Sequence, residues 1–151
     1  MTTERFSLDT NVLVYAADLD AGVRHERALQ ILDRAVHRDC VLTLQALAEF
    51  FHVTTRRQMM ARTDAAAQLH DWATEFPTVT ADPEALFTAL QFTVGGRFSW
   101  WEALLMATAE RHGCEILLSE DMQDGSRLGG LTVLDPFVGD DLPGRVGELL
   151  G

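Results

Sequence analysis

The sequence predicts one α/β domain in which helices cover both faces of a central parallel sheet of four to five strands. Short apolar segments alternate with longer amphipathic segments along the 151 residues, and repeated β–α units imply a parallel sheet with right-handed crossovers. The length suits a single domain, and a hydrophobic content of 47% is enough to form a core. No apolar run approaches the roughly 20 residues of a membrane span, so no membrane association is expected.

The first half of the chain predicts two strands and four helices. Apolar residues alternate in a short strand at 6–8, and Asp9 then starts a tight turn into a helix that Thr10 or Asn11 caps. The remaining elements of this half are a helix at 23–37, a strand at 41–43, and helices at 45–58 and 63–75.

The second half predicts two helices and three strands. Asp82 caps the first of these helices with Pro83 at its first position, and Gly95-Gly96 ends it. The other elements are a weak strand at 78–80, a helix at 99–112, and buried strands at 115–118 and 131–134. We place the domain at residues 1–138, followed by a C-terminal tail at 139–151 that forms a short helix or remains loose.

The charged residues exclude several functions. The formal charge is −11, and all twelve cationic residues are arginines. Without lysine, a Walker-type phosphate loop, a Schiff base and a lysine general base are excluded, and a phosphoacceptor receiver domain is disfavoured. The negative charge also argues against nonspecific binding of polyanions. Cys40 and Cys114 lack metal-ligand spacing and are expected to be reduced core residues.

Four acidic residues fall where parallel α/β sheets form their sites. Asp9 follows the first strand and Asp121 follows the fourth, while Glu49 and Glu102 lie in the first turns of two helices. Because ligands bind beyond the carboxyl ends of parallel strands, these carboxylates are expected to converge. Clustered like charges are best tolerated with a divalent cation, and Mg²⁺ and Mn²⁺ favour carboxylate oxygens. The residues therefore predict metal-assisted hydrolysis of a phosphodiester.

Most of these acids also have a purely structural interpretation. Asp9 could simply belong to a turn and a helix cap, and Asp121 could be an ordinary loop residue. Glu102 ends the segment Ser99-Trp100-Trp101-Glu102, which matches the capping box S-x-x-E. Glu49 stands among apolar neighbours, which favours a functional role.

Four segments of the chain carry a resemblance to a known family. They are Leu8-Asp9-Thr10-Asn11-Val12-Leu13, Gln45-Ala46-Leu47-Ala48-Glu49-Phe50, Ser99-Trp100-Trp101-Glu102-Ala103-Leu104 and Ile116-Leu117-Leu118-Ser119-Glu120-Asp121. In this order and spacing they resemble the PIN-domain ribonucleases, specifically the VapC-type toxins of type II toxin–antitoxin systems. The resemblance covers nearly the whole chain, from Phe6 to Phe137.

The resemblance implies a three-layer α/β/α fold and a ribonuclease that needs Mg²⁺ or Mn²⁺. It implies an RNA substrate (tRNA, rRNA or mRNA), a homodimer, and a cognate antitoxin protein that inhibits by occupying the active-site groove. The first residues lack the basic and apolar stretches of a signal peptide, so a cytoplasmic location is expected.

The resemblance also assigns roles to individual residues. The catalytic and metal-binding acids are Asp9, Glu49, Glu102 and Asp121, and the supporting polar residues are Asn11 and Ser119. To these our leading hypothesis adds Asp124 as a candidate outer-shell acid. At Glu102 the family most often has Asp, so this chain carries its carboxylate one methylene further out. That departure could change the metal geometry, the metal preference or the rate.

Positive charge for RNA binding is concentrated after the second strand. Arg56, Arg57 and Arg62 lie in a stretch without acids, and Arg56 stands about two turns after Glu49 on the same helix face. A guanidinium there could contact a phosphate near the metal site. Arg97, beside two glycines, is a fourth candidate for RNA contact or else a solvated loop residue.

Two further positions have more than one interpretation. His52 shares a helix face with Glu49, and such a pair can bind transition metals, although packing or RNA contact is the preferred interpretation. Trp100 and Trp101 point about 100° apart on a helix. One of them is expected in the core, and the other could stack on a base or fill an interface.

Three functional hypotheses follow. The leading one is a metal-dependent endoribonuclease that acts through the carboxylate cluster. The second is a PIN-fold interaction protein, weakened at Glu102, that binds an antitoxin or RNA without cleavage. The third is a phosphoacceptor or a phosphatase with Asp9 as nucleophile. It is disfavoured because Asn11 stands where a haloacid-dehalogenase-like phosphatase normally has a second Asp, and because the chain has no lysine.

Overall fold

The computed structural model describes residues 4–151, so the first three residues of the predicted domain lie outside the described residues. In this part of the chain the strands are β1 (Phe6–Leu8), β2 (Cys40–Thr43), β3 (Thr78–Val79), β4 (Ile116–Leu118), β5 (Arg127–Leu128) and β6 (Leu131–Leu134). The helices are α1 (Thr10–Ala17), α2 (Val23–Ala35), α3 (Leu44–Arg56), α4 (Arg62–Glu75), α5 (Pro83–Val94), α6 (Trp100–Arg111) and α7 (Gly144–Leu150), with one 3₁₀ turn at Leu19–Ala21.

The strands form one sheet in the order β3-β2-β1-β4-β6-β5. The neighbouring pairs β3-β2, β2-β1, β1-β4 and β4-β6 are all parallel, which confirms the predicted parallel sheet of four to five strands. A sixth strand, β5, pairs antiparallel with β6 at the edge. The prediction missed β5, although Gly129-Gly130 between two apolar segments is a hairpin signal. Gly129 supplies the positive φ of 57° at this turn.

Two apolar clusters on opposite faces of the sheet give the fold its three layers. Side chains alternate between the faces of a strand, so Ile116 and Leu118 of β4 belong to one cluster while Leu117 belongs to the other. The first cluster packs against α1, α2, α3, α4 and α7. The second packs against α5 and α6. This arrangement confirms the predicted α/β/α architecture.

Local signals account for most helix starts. Asp82 caps α5 by accepting from the Ala85 backbone N at 2.9 Å, with Pro83 as the first helical residue. The cap of α1 differs from the prediction. Asp9 itself is the N-cap, because its carboxylate accepts from the Thr10 backbone N, and neither Thr10 nor Asn11 holds that position.

The C-terminal segment folds back onto the first cluster. Within the predicted tail, α7 buries Val146, Leu149 and Leu150. Cys40 and Cys114 are buried free thiols, as expected, and burial raises the pKa of Cys114 to about 12. Among the helices of the described residues, none has the length and hydropathy required to span a bilayer.

Candidate active site

The candidate site lies at the carboxyl ends of the two central strands. Leu8 of β1 is in register with Leu118 of β4, and both chains leave the sheet at the next residue. The Asp9 backbone N donates to the Leu118 carbonyl at 2.9 Å, which keeps the two strand ends together. This pairing places Asp9 and Ser119 side by side, as parallel topology requires.

Asp9 is the most buried acid of the site, with 6% of its surface exposed. The Ser119 hydroxyl donates to Asp9 Oδ2 at 2.6 Å, and the Thr10 backbone N donates to Asp9 Oδ1 at 2.6 Å. Burial raises the pKa of Asp9 to about 6, and the charges of Asp121 and Glu49 add to the effect, while the two hydrogen bonds oppose it. In this environment, any cation that binds beside Asp9 stabilises the ionised form of its carboxylate.

Glu49 projects from α3 towards Asp9 and is held at both oxygens. The Thr10 hydroxyl donates to Glu49 Oε2 at 3.0 Å, and Gln45 Nε2 donates to Glu49 Oε1 at 3.0 Å. Gln45 Nε2 also donates to the Trp101 carbonyl at 3.0 Å, so one amide joins α3 to the start of α6. We did not predict a role for Gln45. Its position four residues before Glu49, on the same helix face, was the available signal.

Glu102 forms the capping box that its spacing allows. Glu102 Oε1 accepts from the Ser99 backbone N at 3.1 Å, and the Glu102 backbone N donates to the Ser99 hydroxyl at 3.3 Å. Within residues 4–151, Glu102 Oε2 has no hydrogen-bond partner. The side chain therefore caps α6 with one oxygen and keeps the other free.

The four carboxylates face one cavity of about 170 Å³. Its lining residues are Asp9, Glu49, Glu102 and Asp121 together with Gln45, Trp101, Leu105 and Met122. Through the described part of the chain, no three His, Cys, Asp or Glu side chains already stand close enough to enclose a metal ion. Asp9, Glu49 and Glu102 are each engaged in hydrogen bonds with neighbouring protein groups instead. The donor set itself consists of carboxylate oxygens, which suits a hard divalent cation.

Of the other predicted site residues, Asp121 lines the cavity, Asp124 does not, and Asn11 has buried polar atoms. The Asp121 backbone N donates to the Ser119 hydroxyl at 3.2 Å, which ties the loop after β4 to Asp9. Asp124 does not line the cavity, and its Oδ1 accepts from the Asp135 backbone N at 2.9 Å. Asn11 has both side-chain polar atoms buried without a partner among the described residues.

A second network that we did not predict holds the residue before Asp121. The Tyr15 hydroxyl and Arg24 Nε donate to the two carboxylate oxygens of Glu120, at 2.5 and 2.7 Å. Burial, followed by the bond to Glu120, raises the pKa of Tyr15 to about 12. This network fixes the loop that carries Asp121.

The four candidate RNA-binding arginines are all exposed. Arg56 extends from the end of α3, with Arg57 after it and Arg62 at the start of α4. Arg97 stands over the rings of Phe92 and Phe98, at 5.4 Å from each centroid. The Arg97 guanidinium is thus held on an aromatic surface, and Arg97 does not line the cavity that contains the carboxylates.

Comparisons with known proteins agree with this architecture. A DNA-bound VapBC complex from Salmonella typhimurium contains a chain with a TM-score of 0.63 at 15% identity, covering 87% of this chain and 98% of that chain. A toxin–antitoxin complex from Klebsiella pneumoniae gives 0.63 at 20% identity, with coverage of 87% and 97%. VapC20 of Mycobacterium tuberculosis, described as a sarcin-ricin loop cleaving toxin, gives 0.61 at 17% identity, with coverage of 77% and 91%. Similarity at these identities shows a shared fold.

The family assignment comes from the sequence itself. Among curated protein sequences, no relative matches this chain. The model of the PIN domain family, however, matches residues 7–123, from β1 to the loop after β4. This match includes the segments that bear all four carboxylates of the cavity, and it shows that the chain belongs to the PIN domain family.

Proposed function

We propose that this protein is a metal-dependent endoribonuclease and the toxin of a toxin–antitoxin pair. The observation that carries the proposal is the environment of Asp9, a buried carboxylate with a pKa raised to about 6, facing a cavity that three more carboxylates line. Buried acids of this kind are costly to a fold and concentrate at functional sites. Membership of the PIN domain family, whose toxins cleave RNA, supports the same chemistry.

The residues present fit Mg²⁺ or Mn²⁺ as the cofactor. Asp9, Glu49, Asp121 and the free oxygen of Glu102 would hold the ion through carboxylates, and Asp124 would act at most in an outer shell. A divalent cation bound there supplies an activated water and stabilises charge on a phosphoryl oxygen. Ser119 and the Thr10 backbone N orient Asp9, and Thr10 and Gln45 orient Glu49.

The partners follow from the same proposal. The substrate is RNA, and Arg56, Arg57, Arg62 and Arg97 would contact its phosphates. The structural neighbours include complexes described as toxin–antitoxin, and we propose a cognate antitoxin for this chain that blocks the carboxylate cavity. A homodimer in the cytoplasm completes the proposed biology.

The test is cleavage of a mixed tRNA and rRNA pool with Mn²⁺ by the wild type, Asp9→Asn and Asp71→Asn. Asp71 is an exposed acid of α4 that does not line the cavity, so its variant controls for the loss of one charge. We expect cleavage by the wild type and Asp71→Asn and none by Asp9→Asn. Equal cleavage by all three would assign the activity to a contaminant or to another site.

A second candidate function is favoured by one observation, the capping box at Glu102. If Glu102 serves only as a helix cap, the cluster lacks one acid, and the protein would bind an antitoxin or RNA without cutting. Glu102→Asp restores the residue that is usual in the family. An inert wild type together with an active Glu102→Asp variant would favour this second function over the first.

A further inference from the structure

A larger cavity of about 820 Å³ adjoins the carboxylate cavity. Its walls come from α3, from α6, and from the end of β3 with the segment that follows it. The lining residues are Leu44, Gln45, Ala48, Glu49, His52, Val53, Val79, Thr80, Ala81, Trp101, Leu104 and Thr108. Gln45, Glu49 and Trp101 line both cavities, so the two spaces share one wall. The volume falls within the roughly 300–1,000 Å³ of small-ligand sites.

Two groups of this wall suit a planar polar ring. Trp101 is 62% exposed although it is a large aromatic residue, whereas its neighbour Trp100 is half-buried and packs on the second apolar cluster. Gln45 Oε1 is buried and, within residues 4–151, accepts no hydrogen bond. A buried unpaired acceptor costs free energy until a donor reaches it. An exposed indole provides a surface on which any base can stack.

We propose that this cavity, the base cavity, binds an unpaired nucleobase of the RNA strand next to the phosphate that lies at the carboxylates. The inference rests on the proposed function and names a subsite for its substrate. The base stacks on Trp101, and a shift of the Gln45 side chain that exposes Oε1 lets an exocyclic amine or a ribose hydroxyl donate to it. Along α3, His52 lies at the cavity wall and Arg56 stands one turn further, on the path of the next phosphate.

The charge of the protein supports a base as the occupant. With a net charge of −11 and no lysine, the chain gains little from neutralising phosphates beyond those that its exposed arginines reach. Binding of a single strand must then depend more on stacking and apolar contact, which the base cavity provides beside the candidate reaction centre. A duplex could not deliver a base there, so the cavity selects single-stranded or looped RNA.

The test measures binding of two RNA pentamers in the Asp9→Asn background, which prevents cleavage. One pentamer carries a single 2-aminopurine among abasic units, and the other is fully abasic. Base stacking contributes about 5- to 150-fold in affinity, so we expect the first pentamer to bind tighter by that factor, with quenching of its fluorescence. Trp101→Ala should abolish the difference and Trp101→Phe should keep most of it. Ala48→Phe, which narrows the cavity without removing an interaction, should reduce it.

Phe87→Ala is the matched control, because Phe87 is also an exposed aromatic (58%) but lines neither cavity. Equal affinity for both pentamers, or an equal loss in Trp101→Ala and Phe87→Ala, would overturn the base cavity. A change of oligomeric mass in Trp101→Ala without any base-dependent binding would also overturn it and would make the cavity a contact between protein chains. Cleavage by the wild type but not by Asp9→Asn tests the nuclease separately, so either proposal can fail alone.

Discussion

Glu102→Gln separates the two roles that Glu102 can have. The amide oxygen of Gln can still accept from the Ser99 backbone N, so the capping box is kept. The negative charge, which a cation in the cavity would need, is removed. Glu102→Ala removes both. Comparing the two variants therefore assigns any effect on stability to the cap and any effect on cleavage to the carboxylate.

The expected magnitudes follow from the contacts. Glu102→Ala loses one partly exposed hydrogen bond, which is worth about 0.5–1.5 kcal/mol. For a chain of this size that lowers the melting temperature by about 1–6 °C. Glu102→Gln should unfold within about 0.5 kcal/mol of the wild type, since the bond persists. If the free oxygen binds the cation, both variants should lose at least about tenfold in cleavage rate or Mn²⁺ affinity, equivalent to about 1.4 kcal/mol.

Two assays read these effects independently, urea unfolding without metal and the Mn²⁺ dependence of RNA cleavage. Glu84→Gln is the matched control, because Glu84 lies in the first turn of α5 and lines neither cavity. It should leave cleavage unchanged. If Glu102→Gln cleaves RNA at the wild-type rate at every Mn²⁺ concentration, including concentrations that do not saturate the wild type, the role of Glu102 as a ligand is refuted and only its role as a cap remains.

Three further predictions follow from the site. Folding raises the pKa of Asp9 from 3.8 to about 6, so in the absence of metal the free energy of unfolding should fall as the pH rises through this range. The Asp9→Asn variant should therefore be up to about 3 kcal/mol more stable than the wild type at pH 7, but not at pH 4. If urea unfolding gives the variant and the wild type the same stability at both pH values, the prediction is contradicted. Added Mg²⁺ should raise the melting temperature of the wild type and not of Asp9→Asn, and no shift in the wild type would argue against a cation site. Tyr15, the only tyrosine of the chain, should show no phenolate absorbance at pH 10 in the folded protein, because burial and the bond to Glu120 raise its pKa to about 12. Half-ionisation at pH 10 would contradict this buried, hydrogen-bonded environment.

The parallel sheet could be predicted because its signals are local. Each buried strand is a short apolar run, and the start of α5 at Asp82-Pro83 combines a cap with a fixed φ. The antiparallel strand β5 escaped prediction because two residues, Arg127 and Leu128, carry no periodicity. Its pairing depends on the glycine turn and on β6 beside it.

The site could be predicted in outline, since strand ends and first turns identify the acids whatever the details of packing. The hydrogen bonds that orient these acids could not be predicted from the sequence. Gln45 acts through Glu49, four residues away, and through the Trp101 carbonyl, 56 residues away. Tyr15 and Glu120 meet across 105 residues. Such contacts depend on how close α3 lies to α6 and how close α1 lies to the loop after β4. These distances are set by tertiary packing, and no local sequence pattern encodes them.

Glu102 shows why one residue can satisfy two sequence patterns at once. The capping box uses only Oε1, and Oε2 has no hydrogen-bond partner among the described residues, on a side chain that lines the cavity together with Asp9 and Asp121. A carboxylate has two oxygens, so one can accept the capping hydrogen bond while the other binds a cation. Capping and metal binding exclude each other only if the cation needs both oxygens. The extra methylene of Glu relative to Asp is what allows the side chain to reach back to the Ser99 backbone N. Glu102→Asp should therefore weaken the cap while it restores the usual family geometry, so its effects on stability and on cleavage should have opposite signs.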